Sequence, residues 1–218
     1  MALVNGKLLL TVIFVAVFAI SRIPGLMPSN FSVAYALAFC SGVFFPGRRG
    51  WCLPLGCIFL TDIGLNLYYQ YGRHISGVWS GANLANLVFN YVAYAALIGL
   101  GRCFRPRSSL FGLVAGGILG AILFYFITNT ASWLFNPFQN LEYTKNLAGW
   151  IIALTRGVGG YPSTWEFFRN TLMSGALFTA LFGAVAQLTA ESPADKTAGA
   201  RESESGDDTA AEPEEVNA

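Results

Sequence analysis

Asparagine and aspartate side chains recur at helical spacing within otherwise apolar stretches of the chain. Asp62 is followed four residues later by Asn66, and Asn86 is followed at the same spacing by Asn90. Side chains four positions apart stack on one face of a helix, so each pair should form a polar stripe. An amide offers hydrogen-bond donors and an acceptor, and a carboxylate offers acceptors only. Such stripes can bind a small polar solute.

Two further apolar stretches carry polar side chains near their ends. Asn129 and Trp133 lie four residues apart, and Arg169 is followed directly by Asn170. An indole combines a large apolar surface with one N–H donor, and a guanidinium carries five N–H donors. The sequence therefore predicts one substrate-binding site. Its predicted members are Asp62, Asn66, Asn86, Asn90, Asn129, Trp133, Arg169 and Asn170.

Other roles for these groups stay open at this point. Asp62 can form a structural ion pair with Arg22 or Arg169, while the asparagines bond between helices. Alternatively, Asp62 or Glu166 can act as the acid or base of an intramembrane enzyme. The chain has no G-x-x-x-x-G-K-[S/T], H-E-x-x-H or G-x-S-x-G motif, and its single histidine is His74. We therefore expect no enzyme activity, no cofactor and no metal site.

Membrane-spanning helices are the elements that must position these side chains. Of the 218 residues, 54% are hydrophobic and 11% are charged, whereas an ordinary soluble domain has about 25% charged residues. The uncharged runs predict an all-α integral membrane domain over residues 1–190. The stretch 147–158 is too short to span, and we expect it to lie on the outer surface as a cap over the site. The six predicted transmembrane helices are 4–22, 30–45, 51–69, 81–100, 108–134 and 166–188.

The last 28 residues have a different composition from the rest of the chain. Residues 191–218 contain nine acidic residues, two basic residues and no aromatic residue. Such a segment buries too little apolar surface to offset the entropy lost on ordering, so we predict a disordered acidic C-terminal tail. The tail is either a partner-binding segment or a solvated extension.

Basic residues predict the orientation of the helices. The positive-inside rule places the more basic set of turns in the cytoplasm, together with both termini. The predicted site then lies at the outer ends of the helices, and topology explains the basic residues better than nucleic-acid binding does. The opposite ends contain small residues, including Gly112, Gly116 and Gly120, which favour either tight packing or a partner-docking face. The basic residues on the cytoplasmic side are Lys7, Arg48, Arg49, Arg102, Arg105 and Arg107.

Four segments carry a resemblance to a known group of proteins. They read SRIPGLMPSNFSVAYALAFCSGVFF, PLGCIFLTDIGL, ITNTASWLF and FFRNTLMSGALFTALFG. Together they resemble an uncharacterised family of bacterial membrane proteins that is similar to the substrate-binding S components of energy-coupling factor (ECF) transporters. The resemblance spans about residues 20–185.

That resemblance implies a six-helix S-component-like bundle in the bacterial plasma (inner) membrane. The expected function is a transport component that captures an unknown small-molecule solute, and the expected partners are the lipid bilayer and an energising ATPase with its coupling module. S components dock to that module through an Ala-x-x-x-Ala patch on helix 1. This chain departs from that pattern, because its Ala16 and Ala19 are three residues apart rather than four. A non-transporting structural or assembly protein of the membrane is the alternative.

Overall fold

All regular secondary structure in the described part of the chain is helical. The computed structural model describes residues 2–188, with side chains from Leu8 onward, and no strand occurs in that range. A π-helical turn, Tyr68–Gly72, continues the third helix. The predicted acidic tail at 191–218 lies outside the described residues. The seven α-helices are α1 (Ala2–Ser21), α2 (Ala34–Phe44), α3 (Arg49–Leu67), α4 (Gly81–Gly101), α5 (Leu110–Phe135), α6 (Leu147–Thr155) and α7 (Thr164–Leu188).

Four of these helices are long and apolar enough to cross a membrane. They are α3 with its π-helical turn, α4, α5 and α7. Two shorter apolar helical stretches, Leu8–Ser21 and Ala34–Phe44, accompany them. The chain therefore has the architecture of a helical membrane protein. The six predicted helices are all present as helices, while six membrane crossings stay a prediction.

Local interactions make α2 shorter than the predicted 30–45. Asn30 adopts a left-handed backbone conformation, with a φ of 57°, so the helix cannot begin there. The Ser32 hydroxyl oxygen instead accepts a hydrogen bond from the Ala34 backbone N–H at 3.1 Å, at the start of α2. Phe45 is extended and precedes Pro46, which ends the helix. At about 1.5 Å per residue, these 11 residues cover about half of a bilayer core.

α2 lies at the centre of the bundle. Every residue from Ala34 to Val43 is buried, and the helix packs against α1, α3, α4, α5 and α7. A helix that is apolar on all sides must be covered by lipid or by other helices, and here other helices cover it. Beside it, the stacked rings of Phe14 and Phe182, with centroids 3.9 Å apart, join α1 to α7.

Glycines permit the closest helix crossings. A Cβ atom placed on Gly42 of α2 would lie 3.1 Å from the Gly101 Cα of α4, and it would also collide with the backbone of α4. A Cβ atom on Gly116 of α5 would come within 2.5 Å of the Phe39 ring. Gly120 of α5 faces α4. Gly116 and Gly120, two of the three small residues singled out in the sequence of α5, therefore contribute to packing within this chain.

Candidate functional site

A cavity of about 440 Å³ opens at one end of the bundle. The end of α1, the segment before α2 and the first half of α4 meet there with the ends of α3 and α5. We call it the end cavity. Amide and hydroxyl groups dominate its wall, so it can offer hydrogen bonds in several directions. Its polar lining residues are Ser21, Arg22, Asn30, Ser32, Tyr35, Tyr69, Asn86, Asn90, Tyr94, Thr128, Asn129 and Ser132.

Three of the predicted site residues come together in this wall. Asn86 and Asn90 reach it from one face of α4, because they are four residues apart. Asn129 reaches it from α5, and its side-chain N–H₂ donates to the Tyr125 carbonyl at 2.8 Å, which orients the amide. Helical spacing thus places Asn86 and Asn90 on one face of α4, and the packing of α5 brings Asn129 to the same cavity.

An ion pair borders the end cavity. The Arg22 guanidinium donates to one carboxylate oxygen of Asp62, and the Tyr91 hydroxyl donates to the other at 3.1 Å. The two charged side chains are 21% and 13% exposed. Among the described residues, Arg22 is the one charged side chain that lines the cavity, and Asp62 does not line it. Of the two arginines considered for Asp62, the structure pairs it with Arg22.

Aromatic rings separate the end cavity from the core. The Phe124 ring centroid lies 4.7 Å from that of Tyr35 and 5.0 Å from that of Tyr94. All three side chains line the cavity, yet each is less than a tenth exposed. The Tyr35 hydroxyl donates to the Asn30 carbonyl at 3.4 Å. This cluster gives the polar cavity one rigid apolar surface on which a ligand can pack.

Two neighbouring cavities share residues with the end cavity. The second, of about 440 Å³, is lined by Asn129, Asn83 and the loop before α7. The third, of about 220 Å³, is lined by Asn66, Asn83, Asn86 and Asn90. Asn129 therefore belongs to two of the three walls, and so do the three asparagines of α4. The amide stripes form one continuous polar region at this end of the bundle.

The other predicted site residues do not line the end cavity. Asn66 lines the third cavity. The Trp133 indole N–H donates to the Thr144 carbonyl at 2.7 Å, which anchors the loop after α5. The Asn170 side chain donates to the Ser29 carbonyl at 2.9 Å and ties α7 to the segment before α2. Arg169 is exposed. Trp133, Arg169 and Asn170 line none of these three cavities.

The short helix α6 lies against α5 and α7. The Tyr125 hydroxyl donates to the Leu154 carbonyl, and the Trp150 indole N–H donates to the Thr130 hydroxyl at 3.1 Å. None of its residues lines the end cavity. The segment 147–158 is helical over Leu147–Thr155, and its last two residues, Gly157 and Val158, line the second cavity. Its place as a cap on the outer surface stays a prediction.

Glu142 holds the loop between α5 and α6 to the loop before α7. Its carboxylate accepts a hydrogen bond from the Gly159 backbone N–H at 3.1 Å. The backbone N–H groups of Glu142 itself and of Gly159 lower the pKa of this carboxyl. Next to it, burial and then the negative charge of Glu142 raise the pKa of Tyr143, which lines the second cavity. Among the described residues, no three His, Cys, Asp or Glu side chains are grouped to hold a metal ion.

Several lining residues were not among the predicted site residues. Asn30, Ser32 and Thr128 share the signal that identified the others, because they too are polar and lie at the same end of the predicted bundle. Tyr35 and Tyr94 gave no such signal. An aromatic residue at helical spacing is usually part of the core, and both side chains are in fact buried.

The chain matches the model of a protein family. That family is described as a family of unknown function, and its model matches residues 3–196, which is most of the chain. No curated protein and no solved structure matches the chain.

Proposed function

The chain belongs to this family of unknown function, DUF6580, and we propose that it is a membrane transport component that captures a small polar solute in the end cavity. One observation carries the proposal: hydrogen-bonding side chains from five segments converge on a single open cavity. Its volume lies within the range of about 300–1,000 Å³ that is usual for small-molecule sites.

The cost of placing amides in apolar helices supports this proposal. A polar group in a membrane-spanning segment is unfavourable unless it finds a partner or faces water. Asn86 and Asn90 satisfy that requirement by facing the end cavity. A role in joining helices alone would not require Asn86, Asn90 and Asn129 to surround one opening.

The orientation and the partners belong to the same proposal. We propose six crossings of the bacterial inner membrane, cytoplasmic termini and an end cavity that opens outward. The basic turns support this orientation through the positive-inside rule. The resemblance to ECF S components supports an energising ATPase with its coupling module as the partner, and the proposal assigns the chain no catalytic step of its own.

A structural or assembly role is the second candidate, and specific contacts favour it. Asp62 is bonded by Arg22 and Tyr91, and Asn170 is bonded to Ser29. These groups hold helices and segments together without any solute. A protein with only this role would contain no small molecule in its end cavity.

Native mass spectrometry of the purified full-length protein tests the proposal. We expect a retained small molecule, seen as a constant mass difference that disappears on unfolding. Asn90→Leu replaces an amide by an apolar group of similar size, so we expect folding without the retained mass. Arg169→Gln is the matched control, because Arg169 is exposed and lines none of the three cavities.

Two results would overturn the proposal. One is an empty wild-type protein after gentle extraction from its native membrane. The other is a retained mass that Arg169→Gln removes and Asn90→Leu does not, because the solute would then lie elsewhere.

A further inference from the structure

A second opening lies on the side of the bundle. It is a cleft of about 430 Å³ between the end of α1 and the second half of α3. We call it the side cleft, and Ala19, Leu60, Gly64, Leu65 and Tyr68 give it a largely apolar lining, with Arg22 at one edge. Leu60 is 70% exposed, which places this face of α3 on the outside of the bundle.

The side cleft and the end cavity adjoin. Arg22, Ile23, Pro24 and Leu65 line both of them. The contacts of α1 are chiefly with α2 and α7, so the side facing α3 stays open. A polar chamber at the end of the bundle therefore continues into an apolar groove along its side.

The positively charged Arg22 side chain lies where the end cavity and the side cleft meet. The Arg22 guanidinium carries five N–H donors, and one of its nitrogens is bonded to Asp62. The Arg22 side chain is 21% exposed and lines both spaces, so guanidinium N–H groups beyond the one bonded to Asp62 can meet a ligand there. Its Nε is buried and has no hydrogen-bond partner within the described structure. The Tyr91 hydroxyl bonds the second oxygen of Asp62, so that carboxylate does not depend on Arg22 alone.

We propose that the captured solute is an anionic amphiphile. Its anionic group binds Arg22, its polar head lies in the end cavity, and its apolar chain lies in the side cleft. This inference rests on the function proposed above and adds the chemical class of the solute. Charge complementarity selects the head group, because a guanidinium forms its strongest hydrogen bonds with carboxylate or phosphate oxygens.

The side cleft favours an amphiphile over a freely water-soluble anion as the captured solute. A small hydrophilic anion would use the end cavity alone and leave the apolar lining of the cleft in contact with water or lipid. An apolar chain covers that lining while its head group stays at Arg22. The groove flanks a helix that is long enough to cross the membrane, so an amphiphile can reach it from the bilayer.

Two glycines of α3 make a matched test. A Cβ atom on Gly64 or on Gly56 would meet no other atom within 4 Å, so both positions accept a larger side chain. Gly64 lines the side cleft and Gly56 does not. Gly64→Phe should therefore fill the groove, while Gly56→Phe adds the same ring elsewhere on the same helix.

The experiment measures binding of radiolabelled decanoate and acetate to the full-length protein in phosphatidylcholine nanodiscs. Decanoate has an anionic head and an apolar chain, whereas acetate has the head alone. We expect saturable decanoate binding, at least tenfold weaker acetate binding, and at least a tenfold loss of decanoate affinity in Gly64→Phe. Arg22→Gln should also lose decanoate, and Gly56→Phe should bind like the wild type.

The outcomes separate this inference from the proposed function. Equal binding of acetate and decanoate, or decanoate binding that Gly64→Phe leaves unchanged, would overturn the amphiphile and leave solute capture in place. The same holds if neither probe binds while the purified protein retains a mass that Asn90→Leu removes. If neither probe binds and no mass is retained, both proposals fall.

Discussion

The guanidinium of Arg22 donates to the carboxylate of Asp62, although the two residues are 40 positions apart in the chain. Arg22 directly follows α1 and Asp62 lies in α3, and Tyr91 joins the pair from α4. The pair thus connects α1 to α3 at the edge of the side cleft. Because α1 otherwise packs chiefly against α2 and α7, this ion pair is a direct link from the end of α1 to α3 beside that cleft.

Breaking this pair should destabilise the protein. Asp62→Asn leaves the largely buried Arg22 guanidinium without its counter-charge, and loss of one partner of a buried pair costs about 3 kcal/mol or more. Thermal unfolding in detergent should show a lower midpoint. Glu166→Gln, which neutralises an exposed acid at the start of α7, should leave the midpoint unchanged.

A double-mutant cycle isolates the interaction itself. Arg22→Gln combined with Asp62→Asn should cost less than the sum of the two single changes, because the double variant contains no unpaired charge. Strict additivity, or an Asp62→Asn protein as stable as the wild type, would show that the pair contributes nothing to folding.

The crossing of α2 and α4 should not tolerate a methyl group. Gly101→Ala places a Cβ atom against the Phe39 carbonyl of α2 and 3.1 Å from Gly42. Both neighbouring atoms are backbone, so the helices must separate, and overpacking of this kind costs about 1–3 kcal/mol.

Gly99→Ala is the matched control on the same helix. A Cβ atom on Gly99 would meet nothing within 4 Å, and alanine is the better helix former by about 1 kcal/mol. We expect unchanged or slightly higher stability for Gly99→Ala and lower stability for Gly101→Ala. Equal effects of the two changes in the same unfolding assay would contradict the close crossing.

Reporter fusions test the proposed orientation. Alkaline phosphatase is active only outside the cytoplasm. We expect an inactive fusion after residue 104, in the basic turn between α4 and α5, and an active fusion after residue 145, in the loop after α5. Immunoblots should confirm that both fusions are expressed. Activity in the first and none in the second would reverse the topology and turn the end cavity toward the cytoplasm.

Glu142 should make the loop before α7 sensitive to acid. Two backbone N–H groups lower the pKa of Glu142 below its ordinary value of 4.5. The stabilisation that results is complete above that ordinary value and is lost as the pH falls through the lowered pKa. Amide hydrogen exchange, corrected for the intrinsic rate at each pH, should show protection of Gly159 at pH 7 and its loss in strong acid.

The variant Glu142→Gln tests the same hydrogen bond to Gly159 without a change of pH. It should lower the protection of the segment around Gly159 at pH 7, because a neutral amide accepts hydrogen bonds less strongly than a carboxylate. Glu166→Gln serves again as the control. Undiminished protection in Glu142→Gln would show that the carboxylate does not hold the two loops together.

Hydrophobic runs and helical spacing were enough to predict much of the fold. A stretch without charges must be covered by lipid or by other helices, so the positions of all seven helices could be read from the chain within a few residues. The start of α2 was missed because a left-handed Asn30 and a hydrogen bond to Ser32 set it. Neither feature changes the hydrophobic pattern.

The predicted site residues also divide into those that helical spacing placed correctly and those whose position depends on loop contacts. The four-residue spacing of Asn86 and Asn90 was sufficient to place both amides on one face of a helix, and that face lines the end cavity. Trp133 and Asn170 had equally suitable chemistry, but their donors bond to backbone carbonyls of nearby loops. Loop conformation decides such contacts, and it cannot be read from the spacing of polar residues.

By itself, the sequence determined that this chain forms apolar helices and that their polar side chains gather toward one end. Apolar stretches form helices in a membrane because of the free energy of transferring side chains and backbone between water and an apolar medium, which depends on local composition alone. The same free energy disfavours polar side chains away from the helix ends. Only the tertiary structure decided that Asp62 pairs with Arg22 and that Arg22 lines both the end cavity and the side cleft. Those relationships depend on how far helices approach and rotate about one another. Contacts between residues distant in the chain set that geometry, such as the crossing of Gly42 and Gly101.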